Sequence, residues 1–416
     1  MKIQRKTAKL AVAALLASAS IAAAEDIPVV SVGGTKISFY GFLQFNSVYE
    51  DGNNNNVSWT EIVPSKAEDG EGRFMSNVNQ TRFGFNLTGP SKENVELSGK
   101  FETDFGNDNG RTSNGVGGFR IRQSFGQVKF TGIGLTMLMG QTNDLIAPLS
   151  APTLNQGGLK SQGSLGTRRP QIRLTQELGP VELAVAATDD RTNSPVMPAF
   201  QGSAKAKIPA SWAGTDDNGK AKNNIEFILS GHYAAEEPAA DTEAQEEAKD
   251  EDGWIAPPTS WSGIASLSLP VISILNLSGE VFYGQNLNRY NNGSIRLSGA
   301  ADGRKGTGVQ SMGGWGAATV KLGPVSLAGG MGVEAIDENR EQKSVEKENK
   351  EGKLELTANP NQNTVIFGNI RYHIGTAYIG FEYANLATDY ASMTDGTKVD
   401  SGKLNRFELV FNYAFK

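Results

Sequence analysis

The first chemical signal in this 416-residue chain is a set of basic side chains that alternate with apolar ones. Arg82 precedes Phe83 and Phe85, and Lys100 stands between Gly99 and Phe101. Arg120 and Arg122 flank Ile121 and follow Phe119, and Arg173 lies between Ile172 and Leu174. In an extended chain successive side chains point to opposite faces, so each cation falls on the face away from its apolar neighbours. Glu96, Glu102 and Asp104 share the polar face of the segment that carries Lys100. A mixed but mainly cationic wall creates a field that attracts anions. The same charges have a plainer reading, in which they keep a wet surface wet and brace it by ion pairs.

Other chemistry finds less support. With two histidines and no cysteine the chain cannot build a His/Cys metal cluster, and nothing in it implies a cofactor. Ser230 and His232 share one strand face, which makes a lipase-like pair conceivable, but Ser-x-His inside an alternating segment ordinarily reflects the alternation itself. His373 falls in a tight turn. Residues 107–110, Asn-Asp-Asn-Gly, resemble part of a calcium loop, but Phe105 takes the first ligand position and the segment reads as a turn. Residues 236–252 hold nine acids against one lysine, the pattern of a solvated loop; divalent-cation bridging to anionic lipopolysaccharide is its functional alternative. The Glu/Lys mixture at 337–353 reads as a second solvated loop.

The elements that must hold the cations are strands. Val95, Leu97, Gly99, Phe101, Thr103 and Phe105 interleave with Glu96, Ser98, Lys100, Glu102 and Asp104, which is period-2 alternation. Tight Gly/Pro turns at 89–90, 131–134, 178–180, 270–271, 323–324 and 373–375 alternate with long polar stretches near 50–79, 106–118, 142–170, 234–258, 286–308, 335–362 and 387–402. A soluble sandwich has loops of mixed length at both ends, whereas a membrane β-barrel has short periplasmic turns and long extracellular loops. The expected fold is therefore an all-β, antiparallel transmembrane barrel. Strands are predicted at 36–49, 80–89, 94–105, 119–131, 135–141, 171–178, 181–187, 224–233, 259–269, 274–285, 309–322, 325–334, 363–372, 376–386 and 403–415. That count is odd, and two successive strands would both run outward. A weakly alternating eighth strand at 197–208 restores the direction and makes about sixteen, with 209–223 as an unusually long periplasmic turn.

The amino terminus agrees with export. Lys2, Arg5, Lys6 and Lys9 precede a small and apolar run over 10–24 that ends in Ala-Ala-Ala before Glu25 and Asp26, the pattern of a cleaved signal peptide. The expected organisation is signal peptide 1–24, a short periplasmic segment 25–35 and the barrel over 36–416. Of the 39 basic and 45 acidic residues, four basic ones fall in the leader, which leaves 35 against 45, or −10. An acidic balance of this kind argues against nucleic-acid binding.

The last strand places Phe407, Leu409, Phe411, Tyr413 and Phe415 on one face. It resembles the carboxyl-terminal strand of Gram-negative outer-membrane general porins, whose terminal aromatic is read by the barrel assembly machinery; here Lys416 follows the aromatic. The resemblance covers residues 36–415. It implies a homotrimer in contact with outer-membrane lipid and lipopolysaccharide, Tyr413 and Phe415 as the assembly signal, and a third loop that folds into the channel. The segments 39–43 and 101–106 are similar to the DcaP-like branch of trimeric porins, although the amino-terminal coiled coil known in that branch is lacking. By this reading Arg82, Lys100, Glu102, Asp104, Arg120, Arg122, Asp144 and Arg173 line the pore or its constriction. Lys160, Arg168 and Arg169 make the third loop basic, with Asp144 its only acid. The ladder arginines fall about 14–25 Å above the periplasmic turns at a rise of roughly 2.3 Å per tilted residue. The expected function is passive diffusion of small polar solutes, with small anions such as carboxylates favoured. A non-conducting barrel that serves as adhesin, surface receptor or structural anchor is the alternative.

Overall fold

Each long strand pairs antiparallel with the one before it, and the last pairs with the first. In the computed structural model the described residues are 29–52, 62–65, 72–106, 118–155, 157–189, 197–235, 259–287, 290, 309–336, 345–348, 354–357, 360–393 and 396–415. The expected leader at 1–24, residues 107–110 expected as a turn, the acidic run at 236–252 and most of 337–353 lie outside them.

Sixteen strands close the barrel. They are β1 (Thr35–Glu50), β2 (Arg73–Asn77 and Arg82–Thr88), β3 (Val95–Asp104), β4 (Arg120–Phe130), β5 (Leu135–Asn143), β6 (Arg168–Leu178), β7 (Val181–Thr188) and β8 (Ala199–Pro209). There follow β9 (Asn224–Ala235), β10 (Thr259–Ile272), β11 (Leu275–Gln285), β12 (Gln310–Leu322), β13 (Val325–Ile336), β14 (Pro360–Ile374), β15 (Ala377–Tyr390) and β16 (Gly402–Phe415). Both pieces of β2 pair with β1, so the interruption at 78–81 leaves one stave. Closure runs from Gly41 opposite Phe415 to Glu50 opposite Arg406. The weakly marked eighth strand is present within a residue or two of its expected place and pairs with both β7 and β9. After it comes the long turn, which holds a short 3-10 helix at Ser211–Ala213. Outside the wall, Val30–Val32 folds back on the start of β1, and Val345–Glu348 pairs with Leu354–Thr357.

Burial follows the alternation with its sign inverted relative to a soluble protein. Along β1, Phe39, Leu43, Phe45 and Tyr49 are exposed, whereas Gln44, Asn46 and Glu50 are buried. Along β16, Phe407, Leu409, Phe411 and Tyr413 are exposed and Arg406, Glu408 and Asn412 are buried. In water this arrangement would waste the hydrophobic contribution of each outward side chain, about 1.5–3 kcal/mol apiece. In a bilayer the outward residues meet acyl chains, and closure leaves no strand edge unpaired.

The apolar core lies inside the barrel, on one side. Ile264, Phe282, Trp315, Phe367, Leu386 and Leu404 point inward from β10, β11, β12, β14, β15 and β16. They pack against Ile146, Leu159 and Leu165 of the chain between β5 and β6, and Val63 of the first loop joins them. These residues fill the lumen on their side, and an open space remains beside β1–β6. One boundary needs correction: β6 begins at Arg168, so Arg168 and Arg169 belong to the strand and the third loop is shorter than 142–170. Arg169 has a strand partner, Thr142, which extends the ladder upward.

Candidate functional site

Four cations meet two carboxylates on the wall formed by β2, β3 and β4. Asp104 accepts from Arg120 Nε at 2.9 Å and NH2 at 2.8 Å, a bidentate fork, and from Arg122 NH1 at 2.6 Å. Glu102 accepts from Arg122 Nε at 2.8 Å and from Tyr40 Oη at 2.9 Å. Arg82 NH1 lies 3.5 Å and Lys100 Nζ 3.8 Å from the same carboxylate. Alternation explains the meeting, because Arg82 is registered with Asp104 across β2–β3 and Asp104 with Arg120 across β3–β4. Charge-assisted and forked bonds fix the guanidinium planes, leaving a net positive face toward the open lumen.

The third loop faces this wall from the filled side of the barrel. Asp144 anchors its root: Oδ2 accepts from Thr167 N at 2.8 Å and Arg169 Nε at 3.1 Å, and Oδ1 accepts from Gln201 Nε2 at 3.0 Å. Gln201 in turn accepts from Leu145 N at 2.7 Å. Farther along, Asn363 donates to Ser161 O at 3.0 Å. The loop lies tight on the wall at Gly332, where a Cβ would fall 2.0 Å from Gln162 O. Gly163, at φ +112°, brings its own Cα face against Gly314 O, 2.2 Å from where a Cβ would sit. Gly332→Ala is expected to push residues 161–163 toward the open side, at a cost of about 1–3 kcal/mol for overpacking. The expected readings are a lower single-channel conductance and a lower temperature for the heat-induced gel shift. An unchanged conductance would mean the loop is not seated there.

Between ladder and loop lies a cavity of about 1030 Å³. The cations lining it are Arg82, Arg120, Arg122, Lys160 and Arg168, and the only acid among the described lining residues is Glu102. The loop contributes Ala147, Leu149 to Ala151, Thr153 to Asn155, Gly157 to Lys160 and Ser164 to Thr167, none of them acidic.

Not every residue expected at the pore reaches this cavity. Asp144 does not, nor does Arg169, expected as a basic residue of the third loop: their side chains are 0% and 1% exposed, and Arg169 stacks 4.0 Å over the Tyr290 ring. The acid expected in the constriction is spent on holding the loop. Asp104 is fully buried behind Arg120 and Arg122. Lys100 leans over the Tyr40 ring at 5.0 Å, and Arg173 donates to Gln171 Oε1 at 2.9 Å and Asn143 O at 2.5 Å. None of these three lines the cavity. The sequence reading missed Tyr40, Gln44, Gln80 and Tyr378, which contact the ladder or line the cavity. Tyr40 was findable, since it alternates with the outward Phe39. His232 takes Ser262 Oγ at 2.6 Å and Ser260 Oγ at 2.9 Å as partners, whereas the Ser230 hydroxyl has no hydrogen-bond partner among the described residues, so the Ser-x-His spacing does not assemble a pair.

A family profile described as Gram-negative porin matches residues 11–416. The outer membrane channel DcaP of Acinetobacter baumannii superposes with a TM-score of 0.69 at 19% identity, over 92% of this chain and 99% of that one. An anion-selective porin from Comamonas acidovorans gives 0.59 at 11% identity, over 92% and 100%. A loop L8 deletion mutant of OmpT from Vibrio cholerae gives 0.53 at 12%, over 92% and 100%. At such identities the likeness is one of fold. No curated protein matched the chain.

Proposed function

Since the chain belongs to the Gram-negative porin family, we propose that this outer-membrane channel is a water-filled passage for passive diffusion of small polar solutes that favours small anions such as carboxylates. One observation carries the preference: among the described residues five cations and one carboxylate line the cavity, and the loop opposite the ladder presents no acid to it. A low-dielectric wall concentrates the field of those cations on the passage. Guanidinium forks match a carboxylate in two-point geometry, and several of them in sequence let an anion pass from one to the next without a deep trap. Glu102 and Asp104 hold the arginines in place and reduce the net field without cancelling it.

The assembled protein on this reading is a homotrimer. Outward aromatics from β15 through β3, among them Phe381, Phe411, Phe45, Phe39, Phe85 and Phe101, support it, because an aromatic-rich face is one that copies of a chain bury together. Export behind a cleaved leader at 1–24, a periplasmic segment at 25–35, assembly through Tyr413 and Phe415, and contact with lipopolysaccharide complete the proposal. The experiment that tests the ion preference is the zero-current potential of the reconstituted channel in a KCl gradient.

A further inference from the structure

The third loop is held to the far wall by a second, separate device. Glu382 on β15 is buried, and its two oxygens accept the main-chain N–H groups of Leu154 at 2.6 Å and Asn155 at 3.2 Å. Asn369 on β14 donates both to Glu382 Oε2 and to Pro152 O, each at 2.9 Å. Arg371 NH2 donates to Pro152 O at 2.8 Å and Thr153 O at 3.1 Å. Four consecutive residues of the loop, 152–155, are thus gripped through their main chain, and Leu154 packs over Gly380, where no side chain intervenes. Thr153, Leu154 and Asn155 also line the cavity, so the gripped segment is itself a wall of the passage. Glu382 stands five residues above Ala377 at the start of β15, about 12 Å up at the tilted rise, so the grip lies deep in the lumen and far from the loop's root at Asp144.

We infer that Glu382, with Asn369 and Arg371, is the positioning group that sets the width of the passage, a role separate from the cations that set its charge. The reason is geometric. A carboxylate offers two acceptors to two diverging N–H groups, and among the described residues those two N–H groups have no other acceptor. Glutamine keeps the volume but turns one acceptor into a donor, which then faces a main-chain N–H. The loop segment must rotate or leave the wall. Because Glu382 is not part of the ladder, the ion preference should stay where it is.

The inference rests on the channel reading and is independent of the anion preference. Glu382→Gln and the charge-silent Asn369→Leu are compared with the parent protein, reconstituted from folded barrel that shows the normal heat-induced gel shift. The expected result is noisier open-channel current with sub-levels and a shift of the exclusion cutoff for neutral poly(ethylene glycol) to other polymer sizes, with an unmoved zero-current potential. Unchanged noise and cutoff in both variants would overturn the inference. So would a zero-current potential that moves while the cutoff stays fixed, since Glu382 would then act as a charge. If the parent protein fails to conduct at all, the channel reading falls instead.

Discussion

Replacing Lys160 and Arg168 together by glutamate is expected to erase the anion preference of the channel while leaving the barrel folded. The two side chains lie on the cavity lining, Lys160 on the loop and Arg168 at the start of β6. Their reversal takes the described lining from five cations and one acid to three of each. A unit charge about 8 Å from a passing ion is worth ~0.5 kcal/mol in a water-like dielectric, and screening at ~0.1 M salt lowers that to about 0.2 kcal/mol. Four charge units then change the free energy of one ion by about 0.9 kcal/mol. Cation and anion respond with opposite signs, so their permeability ratio moves by on the order of tenfold or more. The ladder at Arg82, Arg120 and Arg122 is untouched, with Glu102 and Asp104 still paired. Zero-current potentials of the double variant should fall near or beyond zero on the potassium side. A double variant with the selectivity of the parent would show that ions do not travel past these two groups.

The largest effect on stability is expected from Asp144→Ala. The carboxylate and Arg169 are both inaccessible, and its oxygens also take Thr167 N and the Gln201 amide. Removing it takes away the buried guanidinium's carboxylate and releases both ends of the third loop at once. Breaking a buried pair by deleting one partner costs about 3–5 kcal/mol. Asp144→Asn keeps the volume and one acceptor, and should cost less. The order expected in temperature-dependent gel shift is parent above Asp144→Asn above Asp144→Ala, with new protease cleavage within residues 144–167 of the alanine variant. Equal heat resistance of all three would mean that the loop root does not depend on the pair.

Much of this architecture was legible, for a physical reason. A closed barrel in lipid obliges every strand to show an apolar face outward, so alternation and turn length together indicate fifteen strands, and the need to reverse direction places an eighth at 197–208, found at Ala199–Pro209. Near the extracellular ends both faces turn polar, and there the pattern failed. Arg73–Asn77 and the pair Arg168 and Arg169 have the polar surroundings of a loop, yet they pair in β2 and β6. The ladder was legible because its charges stand opposite outward aromatics on consecutive strands. The inward apolar residues were not. Trp315, Phe367 and Leu404 sit on strands whose other face is also apolar, and their use depends on a loop distant in sequence. The role of Asp144 was hidden for the same reason, since its partners Thr167, Arg169 and Gln201 lie 23 to 57 residues away.

The measurement that bears most directly on the central claim is the zero-current potential of the unmodified protein across a planar bilayer with a KCl gradient. With five cations and one acid lining the cavity among the described residues, the potential is expected on the chloride side of zero, and to move farther that way as salt is diluted and screening weakens. A potential on the potassium side at every salt concentration would contradict the account.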